Sequence, residues 1–248
     1  MKKLLLSLLL VAGLAQSGWA QIAVDNSTAG GYQNSGTALT FSHTVNSTTN
    51  GLLTVCGGTR NNAAPPETAT ATYNGSSMTQ QVTRVDGTFG VIRVYLWTLK
   101  VADGLVTGTH DVVITFSGTP SESYGGAVSF TGVNQTTPVS NAIGNDDRTT
   151  DASVTVTSSA GSVVVDCMAA AGANLAAATA TQTQQYSQIS GGLTDLNGQS
   201  TAAGAASVNM GWTFGVVTNT WVALGMSLNV AATSTCRGAL SLMGVGGC

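Results

Sequence analysis

The stretch Gly108–Val139, GTHDVVITFSGTPSESYGGAVSFTGVNQTTPV, decides the fold class. It holds two strand-like runs, His110–Phe116 and Ala127–Phe130, separated by a Gly/Ser/Pro-rich loop. Short runs of β-branched and aromatic residues bounded by turn formers read as strands. A looser copy, ASVNMGWTFGVVTNTWVALGMSLNV, spans Ala206–Val230. The two runs recur there but the polar exit GVNQTTPV does not. The repeated part therefore reads as scaffold. The loop Thr119–Gly126 and the exit Asn134–Pro138, unique to the first copy, are where function is sought.

The same duplication extends upstream. FSHTVNSTTNGLLTVCGG (Phe41–Gly58) and ASVTVTSSAGSVVVDCMAAAG (Ala152–Gly172) each run alternating strand, hydroxyl-rich turn, Gly, apolar strand. In Ala38–Val45, Leu39, Phe41 and His43 alternate with Thr40, Ser42 and Thr44, the period of a half-buried strand. Asn74-Gly75 is a strong hairpin signal. Phe89–Leu99 is the most strand-like run, with Ile92, Val94 and Leu96 on the better core face. Ser140–Asp151 reads as a polar loop between the halves and Ser190–Gly204 as a Gly/Ala/Ser loop. The Ala-rich stretch Met168–Ala180 is broken by Gly172 and Asn174 and carries no apolar stripe, so strands are expected throughout. The sum is an all-β chain, a jelly-roll-like antiparallel β-sandwich built from two related halves, roughly 21–139 and 152–232. A single sandwich with interleaved halves is favoured over two small ones, because each half could then cover the other's sheet edges.

Residues 1–20 have the pattern of an export signal: Lys2-Lys3, an apolar run Leu4–Leu14, and small residues ending at Ala20. That run is too short for a stable bilayer span. No transmembrane anchor is expected after cleavage, and the setting is secreted or cell-surface. Without Lys2 and Lys3, six basic residues face eleven acidic ones, which argues against nucleic acid as partner. Charged residues make up 8% of the chain, against the usual quarter. Hydroxyls and amides must supply the polar surface.

Candidate chemistry is sparse. Cys56, Cys167, Cys236 and Cys248 allow disulfides in an oxidising compartment. Cys236–Cys248, closing the Gly-rich tail 233–248, is the first expectation, and Cys56 and Cys167 either pair or pack as buried thiols. Asp146, Asp147 and Asp151 in one polar segment offer oxygen ligands for Ca²⁺, although Arg148 opposes them. Tyr124 and Tyr186, beside loops, are the candidate sugar-stacking aromatics, whereas Trp212 and Trp221 in alternating strands are expected in the core. His43 reads as packed, and His110 beside Asp111 as a turn contact. Glu67 and Glu122 would be the carboxyl pair of a glycosidase if they met across a cleft. No nucleophile elbow is present.

The stretches WTLKVADGLVTGTHDVVITFSG and GGAVSFTGVNQTTPV, the turn YNGSSMT and the closing WTFGVVTNTWVALGMSLNV resemble a recurrent family of β-sandwich domains. These domains occur in exported bacterial surface proteins and phage particle proteins. The resemblance covers most of the mature chain and rests on turns and strands rather than catalytic residues. It implies a sandwich in a surface or adhesive setting. The functional expectation is a non-catalytic structural or adhesive protein that needs no cofactor and whose partners are surface glycans or copies of itself. A carbohydrate-binding module, with or without Ca²⁺, is the alternative, and a glycoside or ester hydrolase the third reading.

Overall fold

A computed structural model describes residues 21–61, 68–172, 176–189, 195–214 and 220–232. Residues 1–20, read above as an export signal, and Glu67, Cys236, Cys248 and the tail from 233 lie outside the described residues. The first half comprises β1 (Ala23–Asn34), β2 (Ala38–Val45), β3 (Leu52–Arg60), β4 (Ala69–Tyr73), β5 (Ser76–Ser77), β6 (Thr79–Val85), β7 (Ile92–Lys100), β8 (Gly108–Phe116) and β9 (Glu122–Thr131). The second comprises β10 (Val139–Asp147), β11 (Asp151–Val156), β12 (Val163–Ala171), β13 (Ala176–Ala178), β14 (Thr183–Ile189), β15 (Asp195–Ala203), β16 (Val208–Phe214) and β17 (Thr220–Leu228).

All strand pairing is antiparallel, and it stays within each half. The first half forms the sheets β1-β9-β3-β7-β6 and β2-β8-β4-β5; the second forms β10-β17-β12-β15-β14 and β11-β16-β13. Strands alternate between the two sheets in the order of a jelly roll. The strand orders of the two five-stranded sheets correspond, and β11-β16-β13 matches β2-β8-β4, with no counterpart of β5 among the described residues. The expected interleaving of the halves does not occur. Among the described residues, main-chain pairing between halves is confined to the closing segment, where Val133 bridges Val230 and Ala231 N donates to Gly132 O. The sheet edges are covered by stacking instead: β1 packs against β14 and β6 against β10.

The result is four layers with three apolar fillings. Leu39, Phe41, Tyr95, Trp97, Val112 and Ile114 fill the first sandwich. Val154, Val156, Met168, Met210, Trp212 and Trp221 fill the second. Leu52, Val94, Leu96, Val128, Phe130, Val165, Leu224 and Met226 fill the seam between the two five-stranded sheets. A central strand thus has both faces covered, which is why Leu52–Thr59 is buried along its whole length. The same holds for β7. Its second face, with Tyr95 stacked on Trp97 at 5.2 Å, is as much core as the face read from sequence.

At the middle of the seam β3 lies on β12, and Cys56 is disulfide-bonded to Cys167 with Cα atoms 5.4 Å apart. Each cysteine is the fifth residue of its strand. The bond therefore joins the same position in two strands that hold the same place, third, in their five-stranded sheets.

Three loop expectations are corrected. Ser140–Asp151, read as an inter-repeat loop, is edge strand β10 as far as Asp147 and reaches the start of β11 at Asp151. Glu122–Gly126, read as loop, begins β9, so the two runs of the opening stretch lie in opposite sheets as an arch between layers. Asp195–Ala203 is strand β15, whose buried polar side chains (Asn197, Gln199, Ser200) disguise it as loop. The Asn74-Gly75 signal holds: both residues have positive φ, 49° and 77°, and the turn joins β4 to β5.

Candidate functional site

The tyrosines expected to face ligand are inside. Tyr124 is 1% exposed and Tyr186 6%. Both pack in the seam on glycine floors. A Cβ on Gly58 would meet the Tyr124 ring at 2.5 Å, and one on Gly126 would meet Tyr186 at 2.3 Å. The signal for this was the in-strand pairs Gly57-Gly58 and Gly125-Gly126, since glycine inside a strand marks close approach. Trp212 and Trp221 are buried as expected.

The acidic segment is dispersed. Asp146 accepts from Arg84 and from Gly87 N, tying β10 to the β6–β7 loop of the other half. Asp147 caps its own turn through Arg148 N, and Asp151 offers its carbonyl to Thr149. No group of three or more His, Cys, Asp or Glu side chains able to hold a metal occurs among the described residues. Glu122 lies 4.0 Å from Arg60. The exit motif is structural too. Asn134 Oδ1 accepts from Thr136 N and Thr137 N, and Gln135 Nε2 donates to Gly51 O and Val133 O.

Two carboxylates missed by sequence reasoning are the best-bonded among the described residues. Asp86, 1% exposed, accepts four backbone amides, Phe89 N, Gly90 N, Val91 N and Ile92 N, at 2.7–3.0 Å. It holds the loop that presents Phe89, 50% exposed, under the Arg148 guanidinium. Asp86→Ala leaves those amides without their acceptor. We expect a loss of about 2–3 kcal/mol in urea unfolding; an unchanged midpoint would contradict this assignment.

Asp166 is 1% exposed inside the second sandwich. Ser200 N donates to its Oδ1. Ser200 Oγ (2.8 Å), Trp212 Nε1 (2.7 Å) and Gln182 Nε2 (3.2 Å) donate to its Oδ2. Burial pushes its carboxyl up to about 7, against the pull of these donors. His43, 1% exposed in the first sandwich, is pushed the other way, down to about 4, by burial; its Nδ1 shares a 2.8 Å hydrogen bond with Thr28 Oγ1. Each group is thus favoured neutral in its sandwich.

The solvent face of the sheet β2-β8-β4-β5 carries a different pattern. Alternation buries Phe41, Val112 and Ala71 and turns Thr40, Ser42, Thr70, Asp111 and Thr115 outward. Ser42 Oγ donates to Asp111 Oδ1 at 2.9 Å, and the Thr44 and Thr109 hydroxyls meet at 2.7 Å. Beside the Asn74-Gly75 turn this face dips into a groove of about 430 Å³.

The fold is all-β, four antiparallel sheets in a β-sandwich arrangement, with hydroxyls on the outer face of the sheet β2-β8-β4-β5. No family model, curated protein or solved structure matches the chain.

Proposed function

We propose that the chain is a non-catalytic structural or adhesive protein of the cell or particle surface. The observation that carries this reading is how the polar groups divide. The buried carboxylates Asp86 and Asp166 bind the chain's own donors, while the outward residues form flat arrays of Thr and Ser hydroxyls. Such arrays give a surface many neutral hydrogen-bond partners at once. The buried disulfide suits an oxidising compartment, in line with the export signal. A sugar-binding role through Tyr124 and Tyr186 loses its support, because both side chains are buried.

Purified mature protein tests the reading by light scattering, electron microscopy and retention on polymer-coated sensors. Ordered assemblies, or retention on a hydroxylated polymer that survives washing, are expected. A protein that stays monomeric and is retained on no surface would contradict it.

A further inference from the structure

We propose that the groove beside the Asn74-Gly75 turn is a binding site for a neutral glycan chain. This rests on the adhesive reading above and names its partner. The groove, about 430 Å³, is lined by Thr72, Asn74, Gly75, Thr109, His110, Asp111 and Val113. A volume of this order is typical of small-ligand sites.

The lining selects the ligand by chemistry. Asp111 supplies a carboxylate that accepts hydrogen bonds. Thr72 and Thr109 can donate and accept, and the Asn74 side chain offers both an amide carbonyl and an NH₂. Val113 provides an apolar strip among them. Alternating polar points and short apolar patches match a ring that carries hydroxyls at its edge and C–H groups on its faces. No Lys or Arg lines the groove, and Asp111 repels phosphate, sulfate or uronate groups. A neutral polyol is what remains.

The site is also held in place before any ligand arrives. Asn74 N donates to Asp111 O at 3.0 Å, fixing the turn to β8. Ser42 Oγ fixes the Asp111 carboxylate, and Thr44 fixes the Thr109 hydroxyl. His110 lies edge-on to the Tyr73 ring at 5.5 Å and shares a hydrogen bond with Thr107 O through Nε2. Ordering these groups beforehand lowers the entropic cost of binding. The strand spacing of about 4.8 Å and the two-residue repeat of about 7 Å set outward hydroxyls in rows beyond the groove. A chain longer than one sugar would find further partners at Thr70 and Thr115, which are paired across β4 and β8.

The test uses the mature full chain on an array of neutral and acidic oligosaccharides. Affinity electrophoresis follows, through gels holding xylan, galactomannan or mixed-linkage glucan, with alginate as the acidic control. The variants are Asp111→Ala, Asp111→Asn, Thr72→Val and, on the outer sheet of the second half, Ser153→Ala. Thermal melts check that each is folded. Retardation by at least one neutral glycan is expected. It should fall about tenfold or more in Asp111→Ala, as for a lost hydrogen bond to a charged group. Asp111→Asn should recover part of it, Thr72→Val should weaken it severalfold, and Ser153→Ala should leave it unchanged.

Equal binding by the groove variants would overturn the site while leaving the adhesive reading intact. So would a wild-type protein that assembles or adheres but is retarded by no neutral glycan, or only by alginate. A protein that neither adheres, assembles nor binds a glycan would remove both.

Discussion

Replacing Cys56 and Cys167 together by alanine will lower the unfolding free energy by about 4–5 kcal/mol, through the loop entropy that the bond removes from the unfolded chain. The two cysteines are 111 residues apart in sequence, so nearly half the chain is closed into one loop. For a chain of this size the melting temperature should fall by about 10–20 °C. The location adds a second signature. The bond joins β3 to β12 at the centre of the seam, so its loss acts first on the contact between the sandwiches. Unfolding of the double variant should separate into two transitions or broaden, whereas the native protein should melt in one. Both sulfurs are fully buried. Folded protein incubated with a reductant and freed of it before heating should therefore keep the native melting temperature. Equal stability of the double variant and the native protein would contradict this account of the seam.

Asp166 gives the second large effect. Asp166→Ala strands Ser200 N, Ser200 Oγ and Trp212 Nε1 in the core of the second sandwich, and should cost on the order of 3 kcal/mol at pH 5. The pH dependence tests the cause. The folded-state carboxyl titrates near 7, above its ordinary 3.8. The folded state therefore holds this proton more tightly than the unfolded chain. Its stabilising contribution is complete below about 4 and is lost as pH rises through 7. His43 runs oppositely. With its folded-state value near 4 against an ordinary 6.5, its contribution is complete above 6.5 and is lost as pH falls through 4. Between pH 4 and 6.5 the two slopes oppose and largely cancel. Asp166→Asn removes one of them. The stability of that variant, relative to the native protein, should climb with pH by on the order of 4 kcal/mol between pH 4 and 7, then level off. Parallel pH profiles for the two proteins would show that Asp166 does not titrate in this range.

The fold class was legible wherever one face of a strand is wet. In β2 and β8 the in–out alternation of Leu39, Phe41 and Val112 against Thr40, Ser42 and Asp111 is written directly in the chain. It failed where burial and polarity part company. β10 is an exposed edge whose Asn and Asp residues look like loop, and β15 is a strand whose polar side chains point into a hydrogen-bonded interior. Tyr124 and Tyr186 were misplaced for a related reason. Their burial depends on which sheet lies on top, a fact of stacking that no single strand encodes. The pairing of Cys56 with Cys167 likewise follows from the correspondence of β3 and β12, which becomes visible only once the strand orders are known. The groove is the reverse case. Thr72 and Asn74 are far from Asp111 in sequence, and each has an ordinary turn or surface reading; the sheet alone brings them to one rim.

The most direct test of the back-to-back arrangement is peptide mapping of the unreduced protein by mass spectrometry. The two-sandwich seam predicts a single linked species joining the Cys56 peptide to the Cys167 peptide, with neither cysteine open to alkylation before denaturation. A link from either residue to Cys236 or Cys248, or free thiols at both positions, would contradict it.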